Sequence, residues 1–139
     1  MRVIKPLPSP IQTDVSVPGS KSYTHRMLIA AALSDGRCVI KNALNSEDTH
    51  LTLNTLKKWG VMVEEDGESL VVHGRRGRLD ACNDPIFLGN SGTSMRLLTA
   101  VAALAEGKSV LTGTERLKAR PIQDLLDGLP QLGVAARSL

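Results

Sequence analysis

An internal repeat constrains the fold of this 139-residue chain more than any other feature. Glycine and arginine positions recur in the same order about seventy residues apart. The pairs are Gly19 with Gly89, Arg26 with Arg96, Gly36 with Gly107, and Gly60 with Gly133. Their separation grows from 70 residues at the first pair to 73 at the last, as small loop insertions would make it. This self-similarity predicts two copies of one supersecondary unit.

Each unit is predicted to start with a buried helix followed by a buried strand. Apolar residues fill 27–33 and most of 95–105, which is long enough for helices that pack on all sides. Each run meets a glycine, and β-branched runs at 38–40 and 109–111 then indicate short strands.

A second, amphipathic helix is expected in the first unit. Ser46 is a good N-cap, and acidic residues 47 and 48 suit the first turn of a helix. Leu53, Leu56 and Trp59 would form its buried stripe, and Gly60 would end it.

The corresponding helix of the second unit is expected to begin at Pro121, because proline suits the first helical position. Apolar residues at 122, 125, 126 and 129 follow helical spacing up to Gly133. Pro130 should kink or shorten this helix.

The first unit should close with a β-hairpin, formed by residues 61–63 and 70–72 around a turn at Asp66 and Gly67. Residues 134–136 would begin the matching strand of the second unit, and no returning strand follows them. We therefore expect a polypeptide that stops within a repeat, as a fragment would.

Two helix N-termini carry the residues expected to bind anions. The run Pro-Gly-Ser-Lys-Ser at 18–22 leads to Arg26, and Gly-Asn-Ser-Gly-Thr at 89–93 leads to Arg96. Helix N-termini expose unpaired N–H groups at the positive end of the helix dipole, which favours phosphate or carboxylate. Ser22 and Arg26 share a helix face, and Gly92 would let a ligand approach the backbone closely.

Further cations follow at Arg116, Lys118 and Arg120. Proline after Arg120 favours an extended conformation, which would place the three side chains on one side. The basic run at 75–78 is interpreted as a solvated turn, and His25 as a helix-surface residue. No arrangement typical of nucleophilic or metal-assisted catalysis is recognisable, so anion binding is better supported than proton transfer.

Composition narrows the class of protein. A net charge of +3 fits a small anionic ligand, whereas three aromatic residues are too few for a nucleic-acid stacking surface. The core must be built from Leu, Val, Ile and Ala. Two distant cysteines do not suggest a metal site, and neither a signal peptide nor a membrane span is apparent, so we expect a cytoplasmic protein without a membrane partner.

These motifs, together with Arg-Leu-Lys-Ala-Arg-Pro-Ile at 116–122, resemble the 5-enolpyruvylshikimate-3-phosphate synthase family in order and spacing. The resemblance covers the chain from about residue 11. It implies an α/β fold of βαβαββ units, the enolpyruvyl transferase (inside-out α/β barrel) fold, incomplete in this chain. Residues 1–16 would form a leading strand and hinge, and 17–139 a partial N-terminal domain with units at about 17–80 and 81–139.

The resemblance also implies an activity: transfer of the enolpyruvyl group of phosphoenolpyruvate to the 5-hydroxyl of shikimate 3-phosphate, without metal or cofactor. Shikimate 3-phosphate would bind Lys21, Ser22 and Arg26. Phosphoenolpyruvate would bind the set Lys21, Asn90, Gly92, Thr93 and Arg120, of which Lys21 and Arg120 would be catalytic. The full-length enzyme would be a monomer with glyphosate as an inhibitor, and this chain alone would be inactive, self-associating or pairing with a C-terminal piece.

Several residues depart from the family pattern. Ala119 stands where many members carry Glu, Leu97 where many carry Pro, and Ser91 and Ser94 replace common alanines. Two alternatives remain open. One is an enolpyruvyl transferase acting on UDP-N-acetylglucosamine, although that family usually has Asn at the position of Ser22. The other is a non-catalytic anion-binding module.

Overall fold

The fold mixes helices and strands along residues 3–6, 8–67 and 69–139, the part of the chain that this computed structural model describes. The elements are α1 (Lys21–Leu33), β1 (Asp35–Lys41), α2 (Glu47–Lys58), β2 (Met62–Asp66), β3 (Ser69–Arg75), β4 (Ile86–Phe87), α3 (Gly92–Val101), β5 (Leu111–Thr112), α4 (Glu115–Lys118) and α5 (Gln123–Gly128). Short 3₁₀ turns follow α3 at Ala102–Leu104 and α5 at Leu129–Leu132.

The first unit contains an antiparallel sheet in the order β1-β3-β2. Val72 of β3 lies opposite Cys38 of β1 and Val63 of β2, so it occupies the centre of the sheet. Gly67, with φ of 58°, lies in the turn between β2 and β3. The predicted hairpin is therefore confirmed, and its turn uses the backbone freedom that glycine provides.

The second unit is built around a parallel pair of strands. Ile86 of β4 lies opposite Leu111 of β5, and α3 connects the two strands. The predicted strand at 109–111 is thus present but shifted to Leu111–Thr112. A strand, a helix and a parallel strand in succession form a β–α–β arrangement, as the βαβαββ units implied by the family resemblance would contain.

One hydrophobic core joins the two units. The first unit contributes Leu28, Leu56 and Trp59, and the second contributes Leu88 and Leu98, all almost completely buried. The remaining aromatic residues are both exposed on the surface. The expectation of an aliphatic core is confirmed, with the addition of a single buried tryptophan.

The ends of α2 follow the predicted signals. Ser46 accepts a hydrogen bond from the Thr49 backbone N–H, and the Thr49 hydroxyl accepts one from the Ser46 N–H, which completes a capping box. Gly60 follows the helix with φ of 81°.

In the second unit, Pro130 coincides with the change from α5 to a 3₁₀ turn that ends at left-handed Gly133, as predicted.

Three predicted elements differ in the structure. Pro121 precedes α5, which begins at Gln123, with Ile122 as its N-cap. Residues 134–136 and the described residues of 3–16 form no strand, because no neighbouring strand offers them backbone hydrogen bonds in the described ranges. The division into 1–16 and 17–139 stays a prediction.

The first helix and strand of each unit are less buried than expected. Met27 of α1 and Val39 of β1 are 49% and 46% exposed, and Leu104 after α3 is 47% exposed. The apolar runs predicted burial on all sides, but α1 packs on β3 and α2 through one face only. None of the helices in the described ranges is long and apolar enough to cross a membrane.

Candidate active site

The N-terminus of α1 places Lys21 and Ser22 at the start of a helix. Ser20 is the N-cap, and its hydroxyl accepts a hydrogen bond from the Tyr23 N–H. Glycine is required at residue 19 because the backbone is crowded there. A β-carbon would lie 2.0 Å from the Asn42 carbonyl oxygen. The loop after β1 therefore packs directly on the backbone that leads into α1.

Lys21 has an acidic partner that sequence analysis did not assign. Its Nζ lies 3.0 Å from Oδ2 of Asp48, in the first turn of α2, and both side chains are partly exposed. Because the two residues are 27 positions apart, only the packing of α1 on α2 brings them together. The pair holds the ammonium group at the edge where α1 and α2 begin.

The N-terminus of α3 has the same construction. Ser91 is the N-cap and accepts a hydrogen bond from the Ser94 N–H. Gly89 before it has φ of 53°, the left-handed conformation that favours glycine. The Gly89 carbonyl accepts a hydrogen bond from the Thr114 N–H, which fixes this turn to the segment that carries α4.

Arg120 lies against the start of α3. A β-carbon added to Gly92 would come 2.5 Å from Arg120 Nη1, so the guanidinium occupies the space that a side chain would fill. Arg120 Nη2 also lies 3.4 Å from Asn90 Oδ1, a long hydrogen bond. Three of the residues predicted for the phosphoenolpyruvate site, Asn90, Gly92 and Arg120, are therefore adjacent in space.

The expectation that Arg116, Lys118 and Arg120 share one side of an extended segment is wrong. Glu115–Lys118 forms α4, capped by the Thr114 hydroxyl, and Lys118 pairs with Glu115 at 2.8 Å. Proline restricts only the residue directly before it. Arg120 is accordingly outside the helix, while the residues before Ala119 are free to be helical.

The remaining predicted residues meet in a cleft of about 190 Å³ between α1 and α3, lined by Ser22, Arg26, Thr93, Arg96 and Leu97. Arg96 Nη2 donates to the Pro121 carbonyl at 2.6 Å, which holds the segment before α5. The Arg26 side chain is exposed and forms no hydrogen bond or ion pair with any residue in the described ranges. Of the two arginines that the repeat relates, Arg26 is therefore the one available to a ligand.

The prediction that His25 lies on the helix surface is wrong. The side chain is completely buried, and Nδ1 lies 2.8 Å from the Thr52 hydroxyl. Burial lowers the pKa of His25 below its ordinary value, the Asp48 carboxylate partly opposes this, and the Lys21 ammonium reinforces it. His25 is spaced i, i+3 and i+7 with buried Leu28 and Ala32, a pattern that could have indicated its burial from sequence.

The site is suited to binding anions. It combines the N-termini of two helices with Lys21, Arg26 and Arg120, and planar arginine side chains can hold a phosphate or carboxylate through two parallel hydrogen bonds. A larger pocket of about 570 Å³ lies on another face of α1, but no described Lys or Arg lines it and Glu65 does. In the described ranges, no group of three or more His, Cys, Asp or Glu residues could hold a metal ion.

Comparisons of the sequence and of the fold with known proteins point to one family. Residues 6–139 match the family model of EPSP synthase (3-phosphoshikimate 1-carboxyvinyltransferase). A 3-phosphoshikimate 1-carboxyvinyltransferase from Methanothermobacter thermautotrophicus is 50% identical over 128 residues, which cover 92% of this chain and 30% of the relative. Two solved structures of EPSP synthase from Acinetobacter baumannii share 33% identity and a TM-score of 0.79, each over 86% of this chain and under a third of theirs. The chain, which spans about 30% of the length of the curated relative, belongs to the EPSP synthase family.

Proposed function

We propose that this chain forms the anion-binding part of an active site that transfers the enolpyruvyl group of phosphoenolpyruvate to the 5-hydroxyl of shikimate 3-phosphate. One observation carries the proposal: a continuous series of contacts connects the N-termini of α1 and α3. Lys21 pairs with Asp48, the Asp48 carbonyl accepts from Ser94, and Ser94 lies in the turn that starts with Gly92 beneath Arg120. Two neighbouring anion sites fit a reaction between two phosphorylated substrates.

Shikimate 3-phosphate is assigned to Lys21, Ser22 and Arg26. The cleft between α1 and α3 exposes the Ser22 and Arg26 side chains on one helix face, with Lys21 one residue before them. A serine hydroxyl and a guanidinium together can donate several hydrogen bonds to one phosphate group.

Phosphoenolpyruvate is assigned to Lys21, Asn90, Gly92, Thr93 and Arg120. Its small carboxylate and phosphate could approach the α3 backbone closely because Gly92 has no side chain. Lys21 and Arg120 are the proposed catalytic contacts, since both would touch the substrate whose bonds change.

The chemistry of the transfer explains the need for cations. The C–O bond to the 5-hydroxyl forms as that hydroxyl loses its proton, and the methylene carbon gains and later loses a proton as phosphate departs. Cations that hold both anions in line supply orientation and stabilise the charge that develops on the phosphate. No group in this chain is assigned to the proton transfers, so we expect negligible turnover by this chain alone.

The setting of this activity is part of the same proposal. We place the protein in the cytoplasm, with glyphosate as an inhibitor that binds in the pocket shaped by α3, the helix that carries Leu97. The full-length enzyme would be a monomer, while this chain would associate with itself or with a complementary C-terminal piece. Mixing the chain with such a piece should restore phosphate release from both substrates.

Calorimetric titration with shikimate 3-phosphate tests the proposal on this chain. We expect saturable binding that is lost with shikimate lacking the phosphate and with Arg26→Ala. Arg37→Ala is the matched control, because it removes another exposed arginine, which lies on β1 outside the cleft. Equal binding of any phosphorylated sugar would instead support a general anion-binding module, and preference for UDP-N-acetylglucosamine would support the other enolpyruvyl transferase.

A further inference from the structure

A buried series of hydrogen-bonded polar side chains, here termed the polar chain, links the N-terminal halves of three helices. His25 of α1 bonds to Thr52 of α2, whose hydroxyl lies 2.9 Å from Ser94 Oγ of α3. Ser94 Oγ also lies 2.7 Å from Ser91 Oγ and 3.2 Å from the Asp48 carbonyl oxygen. The four linked residues, His25, Thr52, Ser94 and Ser91, are each at most 1% exposed.

The directions of these hydrogen bonds follow from the groups involved. A carbonyl can only accept, so we assign the single Ser94 hydroxyl hydrogen to the Asp48 carbonyl. With this assignment Ser94 accepts from the hydroxyls of both Ser91 and Thr52, and Thr52 in turn accepts from His25. Neutral His25 therefore carries its proton on Nδ1. Each hydrogen bond of the polar chain is then donated in the same direction, from His25 of α1 to the Asp48 carbonyl of α2.

The two ends of the polar chain, His25 and the Asp48 carbonyl, lie beside the candidate site. His25 is one helical turn after Lys21, and Asp48 is the residue that holds the Lys21 ammonium. Ser94 is the third residue of α3, two positions after Gly92. α2 packs against both α1 and α3, so the polar chain passes through the contact between the two units.

We propose that His25 and Thr52 are positioning residues of the candidate site, which hold the N-termini of α1 and α3 in one fixed arrangement so that Lys21 and Gly92 face the same pair of ligands. The inference rests on the proposed function, because it concerns the same anions. It extends the site to side chains that no ligand touches.

Packing alone does not account for the polar character of this contact. His25 Nε2 is buried without a hydrogen-bond partner in the described ranges, which costs stability that an apolar side chain would not. Directional hydrogen bonds allow only one relative placement of the helices, whereas apolar side chains would tolerate small shifts. Placement of the helix N-termini is the property that such a polar chain provides.

Thr52→Val tests the proposal because valine keeps the shape of threonine and removes the central hydroxyl. Thr52→Ser restores the hydroxyl. Thr55→Val is the control, because Thr55 is also buried on α2, but among the described residues its hydroxyl bonds only to the Leu51 carbonyl. We would measure the His25 tautomer by ¹⁵N NMR without ligand and the affinity for shikimate 3-phosphate by calorimetry.

The proposal expects Thr52→Val to abolish the preference for the Nδ1–H tautomer, to shift the Lys21 and Gly92 amide resonances and to weaken binding about tenfold. Thr52→Ser and Thr55→Val should keep the wild-type tautomer, and their affinities should stay within about twofold of wild type. If Thr52→Val does not fold, Ser94→Ala breaks the same chain from α3 and should weaken binding equally.

If a folded Thr52→Val protein keeps the wild-type His25 tautomer and the wild-type affinity for shikimate 3-phosphate, the proposal is overturned. His25 and Thr52 would then have a packing role only. Failure of the wild-type chain to bind shikimate 3-phosphate is a separate result, which would refute the proposed function. In that case the ligand-free measurements still decide the inference: shifts at both Lys21 and Gly92 support the positioning role, and shifts confined to α2 refute it.

Discussion

The guanidinium of Arg120 lies over the α-carbon of Gly92, close enough that a β-carbon at residue 92 would be 2.5 Å from Nη1. The two residues are brought together by the turn at Gly89, whose carbonyl is bonded to Thr114 just before α4. The absence of a side chain at residue 92 therefore determines where the Arg120 guanidinium can lie.

Gly92→Ala should displace Arg120 without unfolding the protein. The group in conflict is the far end of a flexible side chain, and alanine suits a helix better than glycine by up to about 1 kcal/mol. We expect an unchanged or slightly higher melting temperature together with about tenfold weaker binding of phosphoenolpyruvate. Thermal denaturation and calorimetric titration measure the two effects separately.

Gly128→Ala is the matched control for that substitution. Gly128 is also a helical glycine, and a β-carbon there would meet nothing within 4 Å. It should raise stability similarly and leave phosphoenolpyruvate affinity unchanged. An equal loss of affinity in both variants would rule out the specific contact between residue 92 and Arg120.

Acid should destabilise the protein through His25. Its pKa in the folded state lies below the ordinary value of about 6.5 that applies when the chain is unfolded. Between these two values the unfolded state binds the proton first, so stability is complete above about pH 6.5 and decreases as pH falls towards the folded pKa. The charges that act on His25 are Asp48, which raises its pKa, and Lys21, which lowers it.

Urea denaturation at pH 7 and pH 5 measures this effect. Wild type should lose more stability between the two pH values than His25→Gln, which has no group to protonate at this position. His50→Gln removes an exposed histidine from α2 and should retain the wild-type difference. The assignment to His25 fails if His25→Gln shows the full wild-type loss.

Local signals in the sequence predicted much of the fold. The cap at Ser46, the helix end at Gly60 and the hairpin around Gly67 depend on residues within a few positions of one another. The same is true of the helix N-termini that hold Lys21 and Gly92. Such features are largely independent of the rest of the chain, so sequence alone can predict them.

Contacts between distant segments could not be obtained in this way. His25 and Thr52 are separated by 27 positions, and Thr52 and Ser94 by 42, so their burial depends on how three helices pack. The serines at 91 and 94 appeared only as departures from common alanines. Their role in a polar contact becomes apparent once α3 is placed against α2.

Ser46→Ala should lower the unfolding free energy by about 1 kcal/mol, because it removes the acceptor for the Thr49 N–H at the start of α2. Since Asp48 lies in that first turn, loosening it should also weaken the hold on Lys21 and reduce affinity for shikimate 3-phosphate. Ser46→Asp keeps a capping acceptor and should preserve both stability and affinity. Urea titration of the three proteins checks this order, and an equal loss in both variants would contradict the capping role.

Adjacent arginines in the basic run at 75–78 should differ in their effect on stability, although the sequence suggested one solvated turn. Arg75 donates to the carbonyls of Gly60 and Arg78 and pairs with Asp80, which ties the end of α2 to the segment after β3. The Arg76 side chain forms an exposed ion pair with Asp35.

Arg75→Ala should therefore lower the unfolding free energy by roughly 1.5–3 kcal/mol, because it leaves the Gly60 and Arg78 carbonyls without their charged donor. Arg76→Ala should cost about 0–1 kcal/mol, as expected for an exposed ion pair. Both variants lose one positive charge from the same turn, so the comparison isolates the hydrogen bonds from net charge. Urea denaturation at low and high salt measures the difference. Equal unfolding free energies for the two variants would show that the run at 75–78 is only a solvated turn.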